Sequence, residues 1–402
     1  MKLSHKVAQC ELSPIRKFYP HAVAAEERGI HIHSLNIGQP DVLTPPEYFD
    51  AIANFRQKVL AYAPSPGIPE LIEAVRKYYA RLGVEYGAED IMITTGGSEA
   101  LLMAMLCILD EGDEVLVPEP FYPNYHTFIR MAGGKICPVP TKPEDGYRYA
   151  VRERIELHIN ERTRALLITN PGNPTGTVLS AEELRLMAEI AREHDLYLIC
   201  DEVYREFIYE GSMTTAATMR DMDEHLILID SVSKRFSACG ARIGALITRN
   251  KALMEGALKI AQARLSVATL DQIGAAALYG VEPSYFEATR EEYRHRRDVC
   301  YRKLMEIPGV VAAEPKGAFY MMAKLPIDDA EAFQTYLLRE FEDRGETLMF
   351  APGNGFYATE GAGKSEIRLA YVLCCEELER AMELLKLAIE RYQEKSSKLS
   401  NE

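Results

Sequence analysis

Apolar and polar positions alternate along most of this chain in two rhythms. Short, nearly continuous apolar runs at 91–93, 114–117, 136–139, 165–169, 197–200, 226–229 and 245–248 have the length and composition of strands buried on both faces. Between most of them apolar residues recur at helical spacing, clearly over 68–82 and 98–109 and most clearly over 181–193. Seven strands interleaved with helices predict an open, mostly parallel seven-stranded α/β sheet sandwiched by helices.

The rhythm changes after about 283. A long charged helix is expected from 284 to 305, then strand-like pieces at 310–313, 319–323, 347–350 and 367–371, and a helix over 376–392. Strands segregated from helices suggest a smaller α+β domain. At the other end, 15–28 is amphipathic and closed by Gly29, and 35–41 reads as a short strand running into a turn at Gly38. The division expected is an N-terminal arm that includes part of the small domain (1–45), a large domain (46–282) and a small C-terminal domain (283–402). The polar tail 394–402 is expected to fray.

Composition narrows the function classes. At 402 residues with 47% hydrophobic positions the chain can bury a large core, and a net charge of -14 without a basic block disfavours a nucleic-acid partner. No apolar stretch approaches the roughly 18 residues of a membrane span, and no signal core opens the chain. The eight cysteines lack metal spacing or a CxxC pair and read as buried, reduced thiols of a cytoplasmic, soluble protein. None of the nine histidines is assigned to a metal; His31 and His33 read as a strand edge.

In an open α/β sheet ligands bind beyond the carboxyl ends of the strands, so the residues that follow each strand are the candidates. Lys234 stands in Asp230-Ser231-Val232-Ser233-Lys234, just past the run 226–229. Gly96-Gly97-Ser98 opens a helix, which suits a phosphate and equally an ordinary cap. Ser231 and Arg242 lie close enough in sequence to reach the same anion. Asp201 ends a buried strand and wants a cation, unless it is simply solvated. Asn173 and Tyr204 are donors for a phenolate oxygen, and Tyr122 offers a flat ring. An amine, a carboxylate, a phosphate cradle and a stacking ring together describe a site for pyridoxal phosphate.

The motifs Ser231-x-Ser233-Lys234, Gly240-x-Arg242-x-Gly244 and Asn170-Pro171-Gly172-Asn173-Pro174-Thr175-Gly176 are specific. Through them the chain resembles the class I and II aminotransferases, the fold-type I enzymes that use pyridoxal phosphate, over nearly its whole length. The resemblance implies that Lys234 carries the cofactor and shuttles a proton, that Asp201 pairs with the pyridine nitrogen, and that Tyr204 and Asn173 bind the ring oxygen. It assigns the phosphate to Gly97, Ser98, Ser231 and Arg242, with Glu99 contributing backbone, and the stacking ring to Tyr122. Tyr62 is implied to reach the phosphate of a second copy, hence a homodimer with shared active sites. Arg368, helped by Gly38 and Asn173, is implied to hold the substrate α-carboxylate, and the Asn173–Pro174 bond to be cis.

Amino acid and 2-oxo acid are therefore the expected substrates, aspartate with 2-oxoglutarate first. Aromatic or broad neutral amino acids come next, and a C–S lyase is the alternative chemistry. Arg16 and Arg264 are the candidates for a distal carboxylate, with surface or dimer roles as the ordinary alternative. Ile15, Phe18 and Tyr19 are the candidates for an apolar wall over the substrate. A ligand-sensing regulator would need a DNA-binding module, for which the non-basic N-terminus leaves no room. A nicotinamide oxidoreductase would leave Lys234 unexplained.

Overall fold

A computed structural model describes residues 1–10, 12–211 and 213–399. Seven strands form one sheet in the order Ile91–Thr94, Gly244–Ile247, Leu226–Ser231, Tyr197–Asp201, Thr163–Thr169, Glu114–Pro118, Lys135–Val139. All neighbours are parallel except Gly244–Ile247, which runs antiparallel to both of its own. The strands read as apolar runs because each side chain meets a helix layer whichever way it points. Along Leu226–Ser231, for example, Leu226 and Leu228 join the core that includes Leu184, Met187 and Ile190. Ile227 and Ile229 join the opposite core with Leu101, Met105 and Ala261.

Helix Ala181–Glu193 begins where its sequence caps it. Ser180 Oγ accepts from the Glu183 N–H at 3.1 Å, and the Glu183 carboxylate accepts from the Ser180 N–H at 3.0 Å.

A second, antiparallel sheet has the order Ala351–Pro352, Glu366–Ala370, Tyr320–Lys324, Val311–Ala312. It shares a core with the helices Pro283–Met305 and Cys375–Leu399 through Leu304, Leu369 and Met382. A separate parallel pair joins His31–Ser34 to Glu346–Met349.

Three expectations shift. The strand near the N-terminus is His31–Ser34 rather than 35–41. Leu35 instead links the two small sheets, its N–H donating to Met349 O at 2.7 Å and its carbonyl accepting from Ala370 at 2.8 Å, and the chain then turns away at Gly38. The amphipathic segment 15–28 is helical only over Tyr19–Glu27, where Pro20 suits the first turn. The last helix runs to Leu399, so the expected fraying at 394–399 is replaced by helix, tied down by Lys395 on Glu340 and by Gln393 Nε2 on Pro326 O at 2.7 Å. The rest of that tail, 400–402, lies outside the described residues.

All eight cysteines are free, but only Cys200 and Cys300 are buried. No helix among the described residues is long and apolar enough to cross a membrane.

Candidate active site

The carboxyl ends of the central strands open into a cleft of about 590 Å³, bounded on its other side by residues 13–16 and 37–38 and by Tyr320 and Arg368 of the second sheet. Leu226–Ser231 is buried along its whole length and delivers the chain into the short helix Val232–Arg235. Ser231 Oγ fixes that junction, accepting from the Ser233 N–H at 3.1 Å and donating to Ile243 O at 3.0 Å. Lys234 therefore leaves the helix toward the cleft, where Nζ donates to Gly38 O at 2.9 Å and lies 3.6 Å from Cys239 Sγ.

Asp201 ends the neighbouring strand and faces the same cleft. Its Oδ2 accepts from the Tyr125 hydroxyl at 2.7 Å and its Oδ1 from the Val203 N–H at 3.4 Å. No ion pair reaches it among the described residues. Burial pushes its pKa up to about 6, with the Tyr125 hydrogen bond opposing the rise. Tyr122 also lines the cleft, and burial raises its pKa to about 12, so its ring is neutral.

At one end of the cleft helix Gly96–Ile108 presents its N-terminus. Gly96 has φ +72°, and a Cβ there would meet Arg242 Nη2 at 2.5 Å. A Cβ on Gly244 would meet Gly96 C at 2.4 Å and Gly97 N at 2.6 Å, which is why the sheet edge and the helix start can touch. Gly97, Ser98, Ser231, Ser233 and Arg242 line this end together. Free N–H groups, hydroxyls and a guanidinium make it an anion site.

At the other end Arg368, 2% exposed, projects from strand Glu366–Ala370. Its guanidinium donates to Asn173 Oδ1 at 3.1 Å and to Asn36 O at 2.6 Å, and lies against the rings of Tyr320 at 4.5 Å and Phe356 at 4.9 Å. Its Nε, buried, has no hydrogen-bond partner among the described residues. Asn173 Nδ2 donates to the Tyr204 hydroxyl at 3.3 Å, and that hydroxyl lies 3.0 Å from the Tyr320 hydroxyl. The Asn173–Pro174 bond is cis, as are Glu119–Pro120 and Asn170–Pro171.

Lys234, Asp201, Tyr204, Gly97, Ser98, Tyr122, Asn173, Ser231, Arg242, Gly38, Ile15 and Arg368 thus line one cleft, with Arg16 exposed beside them. Other candidates lie outside it. Tyr62 is 82% exposed, with the exposed Val59 and Leu60 nearby in sequence. Glu99 Oε2 accepts from the Thr95 N–H at 2.6 Å, and its Oε1 is 3.3 Å from Arg264. Arg264 also donates to Ser65 O and Ile93 O, so it buttresses this corner and does not face the cleft. Phe18 packs away from it, against Ala22, Leu338 and Met349, and Tyr19 is 68% exposed. Tyr125 and Tyr320 are cleft residues that sequence reasoning missed; a tyrosine on an otherwise apolar strand, such as Tyr320, was the available signal, since a buried hydroxyl needs a partner.

A lysine amine, a buried acid, an anion site at a helix N-terminus and a buried arginine, all at the carboxyl edge of this sheet, define a fold-type I transferase of amino groups. The chain belongs to the aminotransferase class I and II family, whose profile matches residues 30–385. It is an enzyme, an aminotransferase. It is 35% identical over 393 residues, 96% of this chain and 99% of the other, to a probable aspartate/prephenate aminotransferase of Thermus aquaticus. An aromatic-amino-acid aminotransferase of Thermococcus litoralis is 33% identical, with 96% and 98% covered. Among solved structures, the aspartate aminotransferase of Thermus thermophilus with maleate superposes with a TM-score of 0.87 at 32% identity, over 96% of this chain and all of that one.

Proposed function

We propose that this aminotransferase uses pyridoxal phosphate to move an amino group from an L-amino acid, aspartate favoured, to a 2-oxo acid, 2-oxoglutarate favoured, in two half-reactions at one site. The observation that carries the reading is Asp201. It is a carboxylate buried in the cleft that Lys234 enters, with no cationic side chain paired to it among the described residues. A protonated ring nitrogen is the partner such an acid takes. Gly97, Ser98, Ser231 and Arg242 would hold the phosphate, with Glu99 contributing backbone; Tyr122 would stack on the ring, and Asn173 and Tyr204 would bind its oxygen. When bound, the cofactor supplies a carbonyl for amino-group exchange and an electron-accepting ring.

The chain's own residues do the rest. Arg368 grips the α-carboxylate with paired hydrogen bonds, assisted by Asn173 and the Gly38 backbone, and this fixes the Cα–H bond toward the lysine. Lys234 Nζ would serve as the base that takes the Cα proton and, as the ammonium, as the acid that gives a proton back. Ile15, Leu101 and Tyr122 would give the reacting atoms an apolar wall on the cleft side they line.

The exposed Tyr62 and its apolar neighbours Val59 and Leu60 support a homodimer in which Tyr62 reaches the phosphate of the partner's site. Aspartate is supported by relatives named for it and by Arg16 at the cleft. An aromatic donor is supported by the apolar Ile15 and by the aromatic-amino-acid relative.

A screen of amino donors against the purified, cofactor-loaded enzyme tests the reading. Aspartate with 2-oxoglutarate should give oxaloacetate and glutamate. Lys234→Ala should lose turnover together with the visible absorbance of the attached cofactor, and retention of either would sink the assignment. Pyruvate and ammonia formed without added oxo acid would indicate a lyase instead.

A further inference from the structure

Three metal-ligating side chains meet away from the cleft, where the N-terminal strand crosses the start of the C-terminal helix. His31 and His33 are two residues apart on strand His31–Ser34, so their rings leave the same face of it. The rings meet edge-on with centroids 4.7 Å apart. Glu377, in the first turn of Cys375–Leu399, completes the group, and one ligand atom from each of the three lies within 4.8 Å of the others.

His33 is the observation that sets this cluster apart from ordinary packing. It is 4% exposed, yet neither ring nitrogen has a hydrogen-bond partner among the described residues. A buried polar group left in that state costs on the order of 1–3 kcal/mol, so something should compensate it. Glu346 Oε1 stands 3.7 Å from Nε2, beyond hydrogen-bond range, and the Glu346 carboxylate is already engaged by Arg380 Nε at 2.5 Å. The remaining carboxylate beside the pair is Glu377, held lightly by a 3.4 Å contact from Cys374 Sγ.

We propose that His31, His33 and Glu377 bind one divalent transition-metal ion of the zinc class. Two imidazoles and one carboxylate suit zinc, cobalt or nickel, whereas calcium and magnesium take all-oxygen sets. With metal–nitrogen bonds of about 2.0–2.1 Å, tetrahedral ligands sit roughly 3.4 Å apart. The cluster's 4.8 Å span therefore has to contract by up to about 1.4 Å. His31 is exposed and Glu377 partly so, and both are free to turn toward the fixed His33. The ion ties the N-terminal strand to the C-terminal helix. That strand runs straight on to Asn36 and Gly38, whose carbonyls receive Arg368 and Lys234, so occupancy stiffens one wall of the cleft without entering it.

The test uses untagged, full-length, cofactor-loaded enzyme stripped with a chelator, then titrated with zinc against a chromophoric competitor. One equivalent should bind and raise the melting temperature. His31→Gln and Glu377→Gln, both at the surface and so compatible with folding, should each weaken zinc at least about tenfold and abolish the thermal shift. Binding well below one equivalent, or binding unchanged in both variants, overturns the site. Calcium or magnesium binding there in place of zinc overturns the assigned metal class.

Discussion

Arg235 donates to Asp230 Oδ1 at 2.5 Å, with both side chains 1% exposed. Asp230 also accepts from the Ser231 N–H at 2.7 Å and the Tyr79 hydroxyl at 3.0 Å, and the Arg235 guanidinium lies 4.1 Å from the Tyr78 ring centre. The pair joins the residue before Ser231 to the residue after Lys234, so it closes the lysine loop across its ends. Removing one partner of a buried pair strands the other charge and costs about 3–5 kcal/mol. Asp230→Ala should lose that much in urea denaturation and cut turnover. The double change Asp230→Ala with Arg235→Leu should be less destabilised than the sum of the two single changes.

Asp201 gives a pH signature. Its folded pKa of about 6 lies above the ordinary 3.8, chiefly through burial. A carboxyl shifted upward favours the fold only while protonated, so its contribution is complete below the unfolded value and is lost as pH rises through the folded one. The difference is worth on the order of 3 kcal/mol. Melting temperatures of cofactor-free wild type should therefore fall relative to Asp201→Asn between pH 4 and pH 6 and run parallel above. Added pyridoxal phosphate should narrow the gap, and a gap that ignores pH would refute the assignment.

The parts that were legible in the sequence share a physical cause. Strands covered on both faces must be apolar throughout, so all seven were visible as runs, and loops that end them carry residues with no packing reason to be there. Direction was not legible. Arg264 and Phe18 lie in plausible segments but point into Glu99 and Met349 respectively. Tyr125 was not legible either, because its hydroxyl finds Asp201 only when two distant segments meet. The proximity of His33 to Glu377 was invisible for the same reason, since nothing local links a strand at one end of the chain to a helix at the other.

Gly38 is sensitive to a single methyl group. A Cβ there would stand 1.9 Å from the Tyr320 hydroxyl oxygen and 2.4 Å from the ring carbon Cε1, in a buried setting. Gly38→Ala must push Tyr320 aside, loosening its contact with Tyr204 and the carbonyl that receives Lys234. Overpacking of this kind costs about 1–3 kcal/mol, and kcat/KM should fall. Tyr320→Phe added to Gly38→Ala should not rescue it, because the ring carbon alone still clashes; recovery in that double variant would show that the hydroxyl was the obstacle.

In the proposed reaction two arginines would divide recognition of the two ends of a dicarboxylic substrate. Arg368 is locked between Tyr320 and Phe356 with its position set by Asn173 and Asn36, so its planar fork is aimed before substrate arrives. A lysine has neither the fork nor the flat face to lie between rings. Arg368→Lys should lower kcat/KM on the order of a hundredfold, about 3 kcal/mol, for every amino acid, since all carry an α-carboxylate. Arg16 is exposed at the cleft and has only solvent screening to overcome. Arg16→Gln should raise KM for aspartate and 2-oxoglutarate several-fold while leaving neutral and aromatic donors unchanged. Steady-state kinetics on paired donors reads both effects, and an aspartate KM untouched by Arg16→Gln would move distal-carboxylate recognition to another residue.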